Sequence, residues 1–444
     1  MVEIKIAPVA NYLDQVARNH ARILNHLELL EKKIKIGGQL GLIATDDIPA
    51  ELVESNLSLL DQLQKGSIPL PSTLERLGQN IGLTVAEVEH LLDSIIAIGH
   101  LEFHPTDFCD HRCIGCYYKD KGDDVLPFPF VAKILQRYKP RSVVLVGGGE
   151  PTFYHYQQQV FSDLVSEIKR FNPKIQIGLV TKGTFIPPGN WQEQIDWTRL
   201  SLDAAAPETF LETKGKDGFQ QVLNNFITYL RGPIPNVGIG FLYWSRNIAE
   251  ATTVPRLIYA LVNRVDPRLL VKSNIQYRPM RPGVDSPEKV RKNHVHESMI
   301  CSAQQVEKAT REFEEVILAD QPVGRYIQNH TNWSKVSEGN GLRRGQPFAY
   351  CYYSLLFKIF RPTGEVYPCF VRVSDPDYLI GNFLEETDAE HRKIALLSYL
   401  FFNKARLFCD PEKCRLSWLN NIAERGYKDR GLKPTGAAAS SYFF

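Results

Sequence analysis

Residues 100–119 read HLEFHPTDFCDHRCIGCYYK, and this stretch decides how the rest of the 444-residue chain is read. It opens as a short strand, His100–His104, in which Leu101 and Phe103 alternate with polar neighbours. It then runs straight into a loop with cysteines at 109, 113 and 116, a C-x3-C-x2-C spacing. Loops at the C-terminal ends of parallel strands are where α/β proteins build their sites. A structural zinc takes four ligands in a closed tetrahedron, whereas this loop supplies three sulfurs. Three thiolates on one short loop suit an iron–sulfur cube with one iron left open to a small chelating ligand.

Working outward, strand signals recur at Ser142–Val146, Gln176–Thr181, Thr198–Leu202, Val237–Tyr243 and Leu270–Tyr277. Helical patterns separate them at 128–138, 155–171, 189–196, 217–231 and 251–265. This alternation predicts an α/β fold with a parallel sheet and crossover helices, open or partly curled. Upstream, 11–34 reads as a helix ended by Gly37-Gly38, and 49–65 and 72–99 as further helices. Thr84 and Glu87 form a capping box. Helix, turn, capped helix and strand resemble a winged-helix module. These helices hold little Lys or Arg, so packing or peptide docking is expected and nucleic acid is not. Residues 286–345 look polar and partly helical.

Hydrophobic residues make up 43% and charged residues 23%, with a net charge of +2. That composition fits a globular protein of two to four domains and gives no field towards nucleic acid or an anionic membrane. The start, MVEIKIAPVANYLDQ, lacks a basic segment followed by an apolar one. Apolar runs such as Val143–Val146 are too short to span a bilayer. A cytoplasmic location is expected, where eight cysteines read as metal ligands or reactive thiols. They form the triplet, a singleton at Cys301, and a late quartet, Cys351, Cys369, Cys409 and Cys414.

The triplet after the first strand resembles the signature of radical S-adenosylmethionine (SAM) enzymes. VVLVGGGEPTF at 143–153 is similar to the family's glycine-rich GGE stretch, VTKGT at 180–184 to its turn after the third strand, and RLSLDA at 199–204 to its S-x-D element. KGKDGF at 214–219 resembles the family's R/K-G segment. The resemblance implies a partial (β/α)6 barrel and a [4Fe–4S] cluster on Cys109, Cys113 and Cys116. SAM would be held by Gly148, Gly149, Glu150, Thr181, Ser201 and Asp203, with Glu150 on its amino group. An aromatic residue usually precedes the third cysteine. Here Gly115 stands there, so a neighbouring tyrosine, Tyr117, is the candidate adenine contact. His104 and His111 beside the loop are read as supporting residues rather than ligands.

The late stretch CYYSLLFKIFRPTGEVYPCF at 351–370 reads as a β-hairpin about TGEVYP, bringing Cys351 and Cys369 together. Cys409 and Cys414 could close a four-thiolate site, which suits zinc as well as a cluster. The C-x12-G-x4-C opening and the downstream Ile380-Gly381-Asn382 resemble the auxiliary-cluster extension called SPASM or Twitch. One auxiliary [4Fe–4S] cluster is implied. The expected organisation is a helical winged-helix-like module (1–98), a radical SAM core (99–285), a linker with helix (286–345) and an auxiliary-cluster domain (346–444).

The resemblance implies reductive cleavage of SAM and a 5'-deoxyadenosyl radical that modifies a substrate carbon, with a flavodoxin- or ferredoxin-type electron donor. A ribosomally made precursor peptide is the leading substrate class. The other readings are a dehydrogenase or epimerase of a small sugar or amino sugar, and a non-enzymatic zinc-stabilised regulator. Cys301 is either a buried small side chain or a hydrogen-atom donor to a substrate radical. Arg278 and Arg281 are candidates for an anionic group.

Overall fold

A computed structural model describes residues 28–44, 48–116, 118, 122–280, 297–333, 350–403 and 420. Four helices come first: α1 (28–39), α2 (Ala50–Gln64), α3 (Leu70–Ile81) and α4 (Val85–Asp93). The capping box starts α4, with Glu87 N donating to Thr84 Oγ1 at 3.3 Å and Thr84 N to Glu87 Oε2 at 2.8 Å. α1 continues through Gly37 and Gly38 instead of ending there. Gly37 is needed for close packing, since a Cβ would lie 2.6 Å from the Tyr399 ring. The left-handed turn belongs to Gly41, at φ +61°.

All six expected core strands form. In chain order come β1 (His100–Phe103), α5 (Phe128–Tyr138), β2 (Ser142–Leu145), the small hairpin β3 (His155–Tyr156) and β4 (Gln159–Val160), α6 (Phe161–Phe171), β5 (Gln176–Thr181) and β6 (Trp197–Ser201). Then follow α7 (Pro207–Lys214), α8 (Phe219–Arg231), β7 (Asn236–Tyr243), α9 (Thr253–Val265), β8 (Ser273–Pro279), α10 (Ala303–Ala319) and α11 (Gln321–His330). The helix expected over 155–171 therefore starts only at Phe161. That expected over 189–196 is one 3-10 turn, Trp191–Gln194. Two prolines and Gly189 precede that turn, and the Trp191 indole is buried and tied to Pro187 O at 2.9 Å. α7 was missed, although Pro207 at its start and Gly215 at its end are ordinary helix signals.

The last elements are α12 (Tyr352–Leu356), β9 (Phe357–Phe360), β10 (Glu365–Tyr367), β11 (Gly381–Asn382) and α13 (Asp388–Asn403). The β9–β10 hairpin forms as expected. It also extends the core: β9 lies parallel to β1, pairing His100 with Phe357 and Phe103 with Phe360. One nine-stranded sheet results, in the order β11-β10-β9-β1-β2-β5-β6-β7-β8. The strand after α4 is thus the first strand of this sheet, not part of a wing.

Strand alternation sorts the two faces. Leu101, Phe103, Val143, Leu145, Ile177, Leu179, Val237, Ile239, Phe241, Ile275 and Tyr277 are fully buried. The registers place Glu102, Arg199, Ser201, Gln276 and Arg278 on the other face, together with Gly178, Gly238 and Gly240. That face is polar, as the interior of a partial barrel that admits a ligand must be.

Candidate active site

The cysteine loop leaves β1 at the C-terminal edge of the sheet, where the turn after β2 meets it. Gly149 N donates to Thr106 O at 2.6 Å and Glu150 N to Phe108 O at 2.8 Å. A Cβ on Gly149 would collide with the Phe108 carbonyl, and one on Gly148 with the Asp107 carboxylate. Gly148 also needs its φ of +60°. These glycines, expected to admit a ligand, therefore also admit the backbone that leads into Cys109.

Glu150 is buried and surrounded by protein donors. Oε1 accepts from Thr152 N at 3.2 Å, Thr152 Oγ1 at 2.7 Å and Thr181 Oγ1 at 2.6 Å, while Oε2 accepts from Lys182 N at 2.7 Å. A carboxylate offers about four acceptor sites. Glu150 thus knots the end of β2 to the end of β5, and Thr181 is engaged in the same knot.

At the end of β6, Asp203 takes a left-handed φ of +55°. Its carboxylate pairs with Lys214 and accepts from Leu242 N at 2.5 Å. Ser201, two residues earlier, lies half-buried on the polar face, opposite Gly240. Burial pulls the Lys214 ammonium down, but Asp203 and the nearby Cys113 sulfur hold it above the ordinary lysine range. Lys214 O and Thr213 O accept from Arg112 N and Ile114 N, both at 3.0 Å, so the end of α7 fixes the middle of the cysteine loop.

Cations from elsewhere in the chain hold the acidic residues of this loop. Asp110 pairs with Lys182 at the end of β5 and with Lys216 at 2.6 Å. Burial opposes its charge, yet the two ammonium groups hold it down at about 2. Asp107 pairs with Arg361, just beyond β9, at 2.6 Å. Burial and surrounding cations keep His104 at about 3 and His111 at about 4, so both imidazoles are neutral at ordinary pH. Lys182 and Lys216 lie in stretches already singled out, VTKGT and KGKDGF, but their pairing with Asp110, and that of Arg361 with Asp107, joins residues too far apart in the chain for any motif to announce.

Gly115 has a local reason. A Cβ there would meet Met280 Cε at 2.7 Å and Leu242 Cδ2 at 3.1 Å. Ile114, Leu242, Trp244, Met280 and Met299 form a small apolar patch beside the third cysteine. Tyr117, Arg281, Cys409 and Cys414 lie outside the described residues. Cys301 stands just before α10, whose N-cap is Ser302, and packs partly buried against the main core. Burial pushes its thiol up to about 12, so it stays protonated.

Cys109, Cys113 and Cys116 stand half-buried on this one braced loop. Among the described residues no three His, Cys, Asp or Glu side chains gather closely enough to hold a single ion. Three thiols on one short loop are a donor set that suits an iron–sulfur cluster. Cys351 and Cys369 are also half-buried. The register of β9 on β1 sets them towards the opposite edge of the sheet from the triplet. Their neighbours Tyr353 and Phe370 make ring contact at 6.3 Å. Buried Asn420, six residues beyond Cys414, donates to Cys351 Sγ at 3.8 Å.

The three-thiol loop after the first parallel strand is thus locked to the GGE turn and to the S-x-D strand end. Residues 103–244 match the family described as the Radical SAM superfamily, so this part of the chain is a radical SAM domain and the protein is an enzyme. Among solved structures it is similar to Streptococcus suis SuiB bound to precursor peptide SuiA (14% identity, 78% of each chain covered, TM-score 0.49). It is also similar to native anSMEcpe with bound AdoMet and Cp18Cys peptide (17% identity, 74% of this chain and 88% of that one, TM-score 0.48). No curated protein matches the chain. No helix among the described residues is long and apolar enough to cross a membrane.

Proposed function

We propose that this radical SAM enzyme modifies a carbon of a ribosomally made precursor peptide. The observation that carries the peptide reading is the charge of α2, α3 and α4. Residues 50–93 contain Glu51, Glu54, Asp61, Glu75, Glu87, Glu89 and Asp93 against Lys65 and Arg76, that is 2 − 7 = −5. Glu51, Glu54, Glu75 and Glu87 are exposed. Exposed acidic residues on these helices repel a phosphate backbone and suit a peptide segment of opposite charge.

In this reading Cys109, Cys113 and Cys116 hold the [4Fe–4S] cluster, and Cys351, Cys369, Cys409 and Cys414 hold the auxiliary one. Bound cluster and SAM together supply a one-electron cleavage that yields a hydrogen-abstracting radical. The chain's own part is to place and shield. Gly148 and Gly149 bring the turn after β2 onto the cysteine loop, Asp203 and Lys214 brace its middle, and Ser201 faces SAM from the polar side of β6. Tyr117 or the Met280–Leu242 patch borders the adenine. Cys301, protonated at neutral pH, is in the form that can give up a hydrogen atom. A flavodoxin- or ferredoxin-type protein supplies the electron, and the reaction takes place in the cytoplasm.

The test is anaerobic reconstitution with iron and sulfide, then dithionite, SAM and synthetic peptides encoded by short reading frames beside the gene. A mass change in a peptide, with 5'-deoxyadenosine that disappears in the combined Cys109→Ala, Cys113→Ala, Cys116→Ala variant, is expected. SAM cleavage that leaves every peptide unaltered but converts a sugar would overturn the peptide reading.

A further inference from the structure

The polar face of the sheet carries two arginines that converge on one glycine. Arg199 lies on β6 and Arg278 on β8, with β7 between them. Gly240 of β7 is the reason they can meet. A Cβ on that residue would stand 3.2 Å from Arg278 Nη2 and 3.4 Å from Arg199 Cδ. Gly238 clears the neighbouring position, where a Cβ would lie 2.5 Å from Asn274 Oδ1.

Arg199 is also incompletely satisfied. Nη1 donates to Gln276 Oε1, while its buried Nε has no hydrogen-bond partner among the described residues. The carboxylates whose charge reaches it are Asp203 and Glu102. Asp203 is already committed to Lys214 and Leu242 N. Glu102 is raised by burial to about 7, so it is only partly ionised at neutral pH and balances Arg199 poorly. A guanidinium placed beside a second one, with a free N–H and a weak counter-charge, calls for an anion.

We propose that Arg199 and Arg278 bind a carboxylate of the substrate, an acidic side chain or the C-terminus of the peptide, inserted onto the polar face of the sheet. The inference rests on the peptide-modifying reading and adds to it which chemical group enters first. Depth separates this site from the cofactor. Arg199 precedes Ser201 by two residues on the same strand, about 7 Å further from the edge that carries the cysteine loop. Two guanidinium planes give the bidentate geometry that a carboxylate accepts.

The probe is N-acetylglycine, a minimal C-terminal carboxylate, with N-acetylglycinamide as the neutral control. Both are offered to the anaerobically reconstituted protein in equilibrium dialysis, with and without SAM. In parallel, phenylglyoxal labelling is mapped by mass spectrometry, with the exposed Arg268 as internal reference. The acid is expected to bind saturably alongside SAM and the amide not, with affinity falling at least tenfold in both Arg199→Gln and Arg278→Gln. The acid should also slow labelling at Arg199 relative to Arg268. Equal binding of acid and amide would overturn the proposal. So would displacement of the acid by SAM, which would make the cofactor's own carboxylate the ligand, or tighter retention of inorganic phosphate. A wild-type protein that takes up no cluster would instead strike at the underlying enzyme reading, and is recognised by its iron content before any probe is added.

Discussion

The Arg361 guanidinium of the C-terminal hairpin holds the Asp107 carboxylate two residues ahead of the first cysteine, at 2.6 Å. Their side chains are only 13% and 5% exposed, so this is a buried ion pair. The pairing of β9 on β1 makes it possible: His104 N donates to Phe360 O at 2.9 Å, and residues 104 and 361 leave the same sheet edge together. Arg361 Nη1 also donates to Glu365 Oε2 at 2.9 Å. The region bearing the late cysteines is thereby joined to the loop bearing the early ones.

Removing one member of such a pair strands the other. Arg361→Gln is expected to cost about 3–5 kcal/mol in urea unfolding and to lower the iron bound per chain. Adding Asp107→Asn should recover much of that loss, because the buried charge disappears with its partner. A double variant as unstable as the sum of the two singles would show that the residues act independently.

Gly149 has an unremarkable backbone angle, so its substitution tests contact alone. In Gly149→Ala the new methyl group meets the Phe108 carbonyl, and the cysteine loop must move to admit it. Overpacking of this kind costs roughly 1–3 kcal/mol. Gly66→Ala is the converse control, since its φ of +71° makes alanine strained while nothing lies within 4 Å of a Cβ there, so it costs stability without touching the cysteine loop. Cluster uptake should fall in the first variant and hold in the second, followed by absorbance during reconstitution.

The four hydrogen bonds to Glu150 make a claim that needs no cofactor. Glu150→Gln turns one acceptor oxygen into a donor that faces a donor already present. The apo protein should lose roughly 1–3 kcal/mol. If apo stability is unchanged while SAM affinity drops, Glu150 acts on the cofactor's amino group and the protein donors around it are secondary.

How far the sequence could be read depends on the range of each interaction. The six core strands were legible because alternation along each strand is local, and the cysteine loop because its three cysteines fall within eight residues. The capping box was legible for the same reason. The partners of Lys182, Lys216 and Arg361 were not, since each meets its acidic residue across the fold. The pairing of β9 with β1 joins residues more than 250 positions apart, and no pattern in either strand announces it. Gly37 misled as a helix stop because close packing and chain reversal both call for glycine.

Glu102 gives a pH signature of the polar face. Burial raises its pKa from 4.5 to about 7, against the opposing charge of Arg199. A carboxyl group that titrates higher in the folded state binds its proton more tightly there than in the unfolded chain. Its contribution to stability is therefore complete below pH 4.5 and is lost as the pH rises through 7. Glu102→Gln keeps a neutral side chain of the same shape at every pH. The stability of the wild type relative to this variant should decline across that window and level off above it, read from urea midpoints at several pH values. A difference that stays flat from pH 4.5 to 7 would mean that Glu102 titrates as an ordinary surface glutamate, and that Arg199 has a full counter-charge after all.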